Sequence, residues 1–207
     1  MKTNELNMQD LSVVLKVLGA LFYYPPDRYQ QVNLETMLNN VSQDIPLLST
    51  ALLAIKSEDR NELQLEHDRL FSGIGDMPAP PWGSVYLDKE SIVFGESMLE
   101  YRQFLRQCGL SLNSDHKEPD DHIGLMLMVL GLLLKDERYS LAKELLQAHL
   151  ITWFDFYIKR LTKASYCDAY VTLAESAKKV LSILIDRFQI TQVERRDYFN
   201  DKAQNVQ

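Results

Sequence analysis

The chain has few cysteines, little excess of positive charge and no apolar run long enough to cross a membrane, and each shortage closes off a class of function. Its 207 residues contain two cysteines, Cys108 and Cys167, far apart and in no CxxC pattern. A disulfide framework or a cysteine metal site is therefore not signalled, and a reducing compartment is the simplest setting. Asp and Glu total 29 against 22 Lys and Arg, for a formal net charge of −7. That balance disfavours nucleic acid and anionic membranes, which need a cationic field, and favours basic partners. The longest apolar run, Ile123 to Leu134, is twelve residues, where a membrane span needs roughly 20; it reads as a buried helix. The N-terminus has no basic segment leading into an apolar stretch and cleavage site, so the expectation is a cytoplasmic protein without membrane insertion.

Catalytic motifs are equally sparse. There is no G-x-S-x-G elbow, and Gly73-Ile74-Gly75 lacks the following Lys-Ser or Lys-Thr of a phosphate loop. The 46% hydrophobic and 25% charged composition is that of a globule with a real core. Apolar residues recur at i, i+3, i+4 and i+7 with few alternating runs, which predicts an all-α, bundle-like fold. A single domain is expected over 1–199, with a frayed polar tail at 200–207.

Leu11, Val14, Leu15, Leu18, Leu21 and Phe22 form one stripe. It predicts a helix from Leu11 to Tyr24, capped by Asp10 and stopped by Pro25-Pro26. Helices are also expected at Val32 to Asn39, at Ile45 to Lys56 after a cap at Ser42, and from Ser57 and Asp59 through Leu63, His67, Leu70 and Phe71. The glycines and prolines between Ser72 and Gly95 break helix, so this stretch reads as a loop packed on helices, including 84–87 and 91–94. Long loops in compact domains are often functional, which makes it the prime site candidate. A helix from Ser97 carries Met98, Tyr101, Phe104 and Leu105 inward and stops at Gly109; the polar connector Ser111 to Lys117 follows. Pro119, with Asp120 and Asp121 behind it, predicts the start of the buried helix that ends near Lys135. Amphipathic helices are expected at Tyr139 to His149, Thr152 to Ser165 and Cys167 to Phe188.

Three groups bear on function. Asp120, Asp121 and His122 suit a helix N-terminus, a metal or ligand-binding site, or catalysis. His67-Asp68 fits a partly exposed polar face or, with His116, His122 and His149, the ligands of a metal-dependent helical hydrolase, although no closed ligand set is visible. Phe71, Trp82, Tyr86, Phe94 and Met98 fit a core, but Trp82, set between prolines and a glycine, has the character of an interface anchor.

Taken together, "RLF", "PPWGSVYLDKES" and "EPDDH", with Val17-Leu18-Gly19-Ala20-Leu21-Phe22-Tyr23-Tyr24 in the first helix, resemble the TorD/DmsD/NarJ family of redox enzyme maturation chaperones, in particular its dimethyl sulfoxide reductase branch. The resemblance spans most of the chain. It implies no reaction, metal or cofactor, but binding of a twin-arginine leader, two arginines followed by an apolar stretch, on the catalytic subunit of a molybdopterin reductase of the dimethyl sulfoxide or trimethylamine N-oxide type. Occupancy would delay twin-arginine (Tat) export while the client folds and acquires its molybdopterin. The implied groove comprises Leu70, Phe71, Pro81, Trp82, Gly83 and Ser84, with Asp121 and His122, and with Phe22 and Tyr23 nearby; Glu118 and Asp120 add negative field. The branch carries further tryptophans where this chain has His67 and the Gly75 region, which leaves groove width and client open. Tat translocase components are further implied partners; a monomer is expected, with room for a homodimer by helix exchange through the long connector Ser111 to Lys117. The competing readings are the hydrolase using His67, Asp68, Asp121 and His122, and a helical adaptor with no leader specificity.

Overall fold

A computed structural model describes residues 6–41, 44–73, 77–111, 118–191 and 195–204. Ser42, Ile74, Gly75, His116, most of the 111–117 connector and the last three residues lie outside that set. The fold is all-α, with no strand among the described residues.

Helix α1 (Met8–Tyr23) starts earlier than its apolar stripe because the cap is Asn7. The Asn7 side chain accepts from the Asp10 amide (2.9 Å) and Asp10 accepts from the Asn7 amide (3.0 Å), so Asp10 completes a reciprocal capping box in place of being the cap. A 3-10 turn (Pro26–Arg28) leads to α2 (Leu34–Asn39), and Pro46 opens α3 (Pro46–Ser57). Asp59 caps α4 (Arg60–Phe71) by accepting from the Asn61 and Glu62 amides.

The expected loop contains a short helix, α5 (Gly83–Leu87), which corrects the loop assignment for 84–87. Five residues carry too weak a periodic signal to read as helix. Phe94 is also corrected: it is half exposed, not core. Helix α6 (Glu96–Gln107) follows and ends through Gly109 at φ 69°.

Helix α7 (Ile123–Lys135) begins four residues after Pro119, because His122 is its cap and accepts from the Gly124 amide (3.0 Å). Asp120 and Asp121 therefore precede the helix and do not form its first turn. Next, α8 (Tyr139–Glu144) runs without a break through a π turn (Leu145–Leu150) into α9 (Ile151–Ala164), where two separate helices are expected from the pattern. The chain ends in α10 (Asp168–Phe188) and α11 (Tyr198–Gln204). Residues 200–204 thus belong to α11.

Helices α1 and α7 make the closest pair, and α10 lies against α1, α3 and α9. Small residues set the α1–α7 spacing: a Cβ on Gly19 would stand 2.6 Å from the Gly124 carbonyl oxygen, and one on Gly124 2.5 Å from that of Gly19. Two turns further along, Ser12 Oγ donates to the Gly131 carbonyl (2.7 Å). One hydrophobic cluster joins buried side chains from Leu11 to Ile190. Aromatic contacts run through it, with Phe22 against Phe71 (6.1 Å) and Tyr157 (6.3 Å), and Tyr86 stacked on Trp153 (5.6 Å).

Candidate functional site

The two segments singled out in the sequence, Pro81 to Ser84 and Glu118 to His122, lie side by side. An isolated antiparallel bridge pairs Trp82 with His122. The Ile123 amide donates to the Pro81 carbonyl (2.8 Å) and the Gly83 amide to that of Asp121 (3.3 Å). This crossing brings the Asp121 carboxylate to the start of α5, where Oδ2 accepts from the Ser84 amide (2.7 Å). A carboxylate at a helix start satisfies a free amide, so Asp121 does cap a helix, but the one on the neighbouring segment. Gly83 is required by contact: a Cβ there would sit 2.7 Å from the Trp153 indole nitrogen.

Asp121 is buried, and its Oδ1 has no hydrogen-bond partner. Burial pushes its carboxyl up to about 6, against the pull of the Ser84 hydrogen bonds and with a further push from Asp88. A carboxylate so placed gains from a cation brought into its surroundings.

Above this crossing is an aromatic nook. His122 meets Tyr23 edge-on (5.3 Å between centroids), Trp82 (6.4 Å) and Phe71 (6.5 Å). Trp82 and Tyr23 are half-buried, and the Trp82 indole donates to Glu118 Oε1 (2.6 Å), which fixes its orientation. Burial, with the neighbouring His67, pushes the His122 imidazole down to about 3, so the ring is neutral at physiological pH.

Not every residue of the expected groove reaches its surface. Phe22 and Leu70 are fully buried, and Phe71, Pro81, Gly83 and Ser84 are buried as well; these residues support the nook from below. Asp120 is ion-paired to Arg102 (2.5 Å), so its charge is largely matched within the protein. Tyr23, Trp82 and Glu118 keep exposed surface.

His67 corrects an expectation, since it is buried and not on an exposed polar face. It lies 4.8 Å from the Phe71 ring and 6.2 Å from that of Tyr170, neither ring nitrogen has a partner, and burial pushes it down to about 3. Among the described residues no three His, Cys, Asp or Glu side chains converge as metal ligands, which leaves the hydrolase reading without support.

Two carboxylates matter that sequence reasoning passed over. Glu66 is nearly buried; burial works against its charge, but Arg69 (2.7 and 2.8 Å), the Tyr166 amide (2.8 Å) and Ser165 hold it below the usual carboxylate range. It ties α4 to the α9–α10 turn. Asp88 accepts from the amide (3.2 Å) and hydroxyl (2.8 Å) of Ser97 and so joins α5 to α6. No local pattern marks either role. Beside α5 opens a cavity of about 440 Å³ whose walls carry Asp88, Glu96, Glu100, Asp121, Tyr101 and Trp153.

Residues 34–159 match the family model described as nitrate reductase delta subunit. A probable Tat proofreading chaperone DmsD of Haemophilus influenzae is 33% identical, over 84% of this chain and 89% of that protein. The Tat proofreading chaperone DmsD of Salmonella typhimurium is also 33% identical, over 87% and 91%. Among solved structures, a putative redox enzyme maturation protein from Archaeoglobus fulgidus superposes with a TM-score of 0.58 at 25% identity, covering 81% of this chain and 91% of that one.

Proposed function

Because this chain belongs to the nitrate reductase delta subunit family, the TorD/DmsD/NarJ group of maturation chaperones, we propose that it is a non-enzymatic Tat proofreading chaperone. It binds the twin-arginine leader of a molybdopterin reductase catalytic subunit of the dimethyl sulfoxide or trimethylamine N-oxide type and delays export until the subunit has folded and taken up its cofactor. The observation that carries this reading is the half-exposed Trp82, held by Glu118 against buried His122 and Tyr23, beside a buried carboxylate with an unused oxygen.

A twin-arginine leader presents two guanidinium groups and then an apolar stretch. Guanidinium binds best to carboxylate oxygens with open lone pairs, here Asp121 Oδ1, and the apolar stretch suits a rigid aromatic surface. The formal charge of −7 draws a basic peptide toward the protein. No described helix is long and apolar enough to cross a membrane, and the cytoplasm, where a leader is first exposed, is the proposed location. The single hydrophobic cluster supports one folding unit over 1–199, working as a monomer that meets the Tat translocase at release.

Calorimetric titration with a synthetic reductase leader tests this. Binding near micromolar, about −8 kcal/mol, that collapses when both peptide arginines become alanine is the expected result. Trp82→Ala should weaken it by about 1–3 kcal/mol, the range of an interface anchor, with an unchanged melting temperature. No binding across several such leaders would favour an adaptor that recognises folded partners.

A further inference from the structure

The chain carries an arginine pair of its own. Arg195-Arg196 is followed by Asp197 and then by two aromatic residues, Tyr198 and Phe199, which is the order of a twin-arginine leader: two arginines, then apolar side chains. This segment lies on α5. The Phe199 ring meets that of Tyr86 at 5.6 Å, and Arg160 covers it at 4.6 Å while pairing with Asp197 (3.6 Å) and donating to Asn200 (3.2 Å).

Arg195, Arg196 and Tyr198 form one wall of the 440 Å³ cavity, and Asp88, Glu96, Glu100 and Asp121 stand on the others. Two buried polar atoms of residues lining it, Asp121 Oδ1 and the Tyr101 hydroxyl, have no hydrogen-bond partner. Acidic walls therefore stand across the cavity from Arg195 and Arg196, the latter paired with Asp201 of α11 (2.6 Å). Both arginine side chains are exposed, and α11 has only seven residues. A helix that short has little stability of its own, so the segment is held mainly by Phe199 and Arg160 and can be released locally at small cost.

We propose that residues 195–199 are an internal stand-in for the leader, seated against the α5 cleft in the client-free protein and displaced when a leader binds. The inference rests on the leader-binding reading and adds to it where the arginines go and what they compete with. A cleft already occupied in cis lowers apparent affinity by the fraction of molecules in which it is free. If nine molecules in ten are closed, that is about tenfold. The internal segment thus sets a threshold that a weak or incomplete leader does not pass.

The test compares the full-length parent with two full-length variants, R195A/R196A, which alters exposed side chains and removes the surface Arg196–Asp201 pair, and F199A, which removes the aromatic anchor. A reductase leader is titrated into each, and amide hydrogen exchange is followed over 198–204. The expected result is several-fold tighter leader binding in both variants, and faster exchange of 198–204 in the parent at saturating leader. Equal or weaker binding in either folded variant, or amides that stay protected under saturating leader, overturns the inference while leaving the chaperone reading in place. Should F199A lower the melting temperature, R195A/R196A alone decides. Absence of leader binding in the parent and both variants removes the chaperone reading and this inference with it.

Discussion

Asp121 combines two roles that different substitutions separate. It accepts from the Ser84 amide at the start of α5, and it carries a charge that burial disfavours. Alanine removes both and leaves a buried amide unpartnered, at a cost of about 1–3 kcal/mol, so Asp121→Ala is expected to lose stability as well as leader affinity. Asparagine keeps an oxygen for Ser84 and removes only the charge. Asp121→Asn is therefore expected to keep the parent's urea midpoint or raise it, and to weaken leader binding at least several-fold. Loss of stability equal to that of Asp121→Ala would show that the charge itself holds α5. This role was not legible in the sequence. Pro119-Asp120-Asp121-His122 reads locally as a helix start, and nothing near it reveals that the amide it serves is 37 residues upstream.

At the scale of elements, the contact between α1 and α7 depends on the absence of side chains. The two glycine carbonyls approach so closely that a methyl group on Gly124 would meet backbone, which cannot rotate away. Gly124→Ala must therefore push the helices apart, and overpacking of this kind costs about 1–3 kcal/mol. The displacement also carries Tyr23 and His122, which flank the contact, so leader affinity should fall together with the melting temperature. An alanine variant as stable as the parent would mean that the helices are not this close in solution. Much of this architecture could be read beforehand, because α1 and α10 bury long periodic stripes and α7 is an almost unbroken apolar run, and both signals are strong. Boundaries were less legible. Asn7 outranks Asp10 as a cap only once the helix is seen to include Met8, and the π turn after Glu144 leaves no mark in an apolar pattern. The segments of the candidate site could be singled out in the sequence, but not which side chains keep exposed surface: Phe22 and Leu70 group there with Trp82 yet are fully buried.

For the whole molecule, buried ionisable groups set an opposed pH dependence. His67 and His122 are held at about 3 in the folded protein, by burial and, for His122, by the adjacent His67. Unfolded histidines take up protons near 6.5. Their folded values are depressed, so the stability they support is complete above 6.5 and is lost as pH falls toward 3, by about 1.4 kcal/mol per pH unit for each ring. Half-buried His149, held at about 4, adds a smaller loss. Asp121 acts in the other sense: raised from 3.8 to about 6, it favours the folded state when protonated and so gains stability as pH falls through that window. With two rings against one carboxylate, stability between pH 6 and 4 should decline on acidification with a net slope of at least about 1.4 kcal/mol per unit. His67→Leu removes one ring whose nitrogens have no partner. Replacing an unsatisfied polar group with an apolar one of similar size is neutral or stabilising, so the variant should match or exceed the parent at pH 7 and lose about 1.4 kcal/mol less per unit below pH 6. Urea unfolding at a series of pH values measures both quantities. Parallel curves for parent and variant would mean that His67 titrates normally in the fold, and hence that water reaches the space between α4 and α10 beneath the aromatic nook.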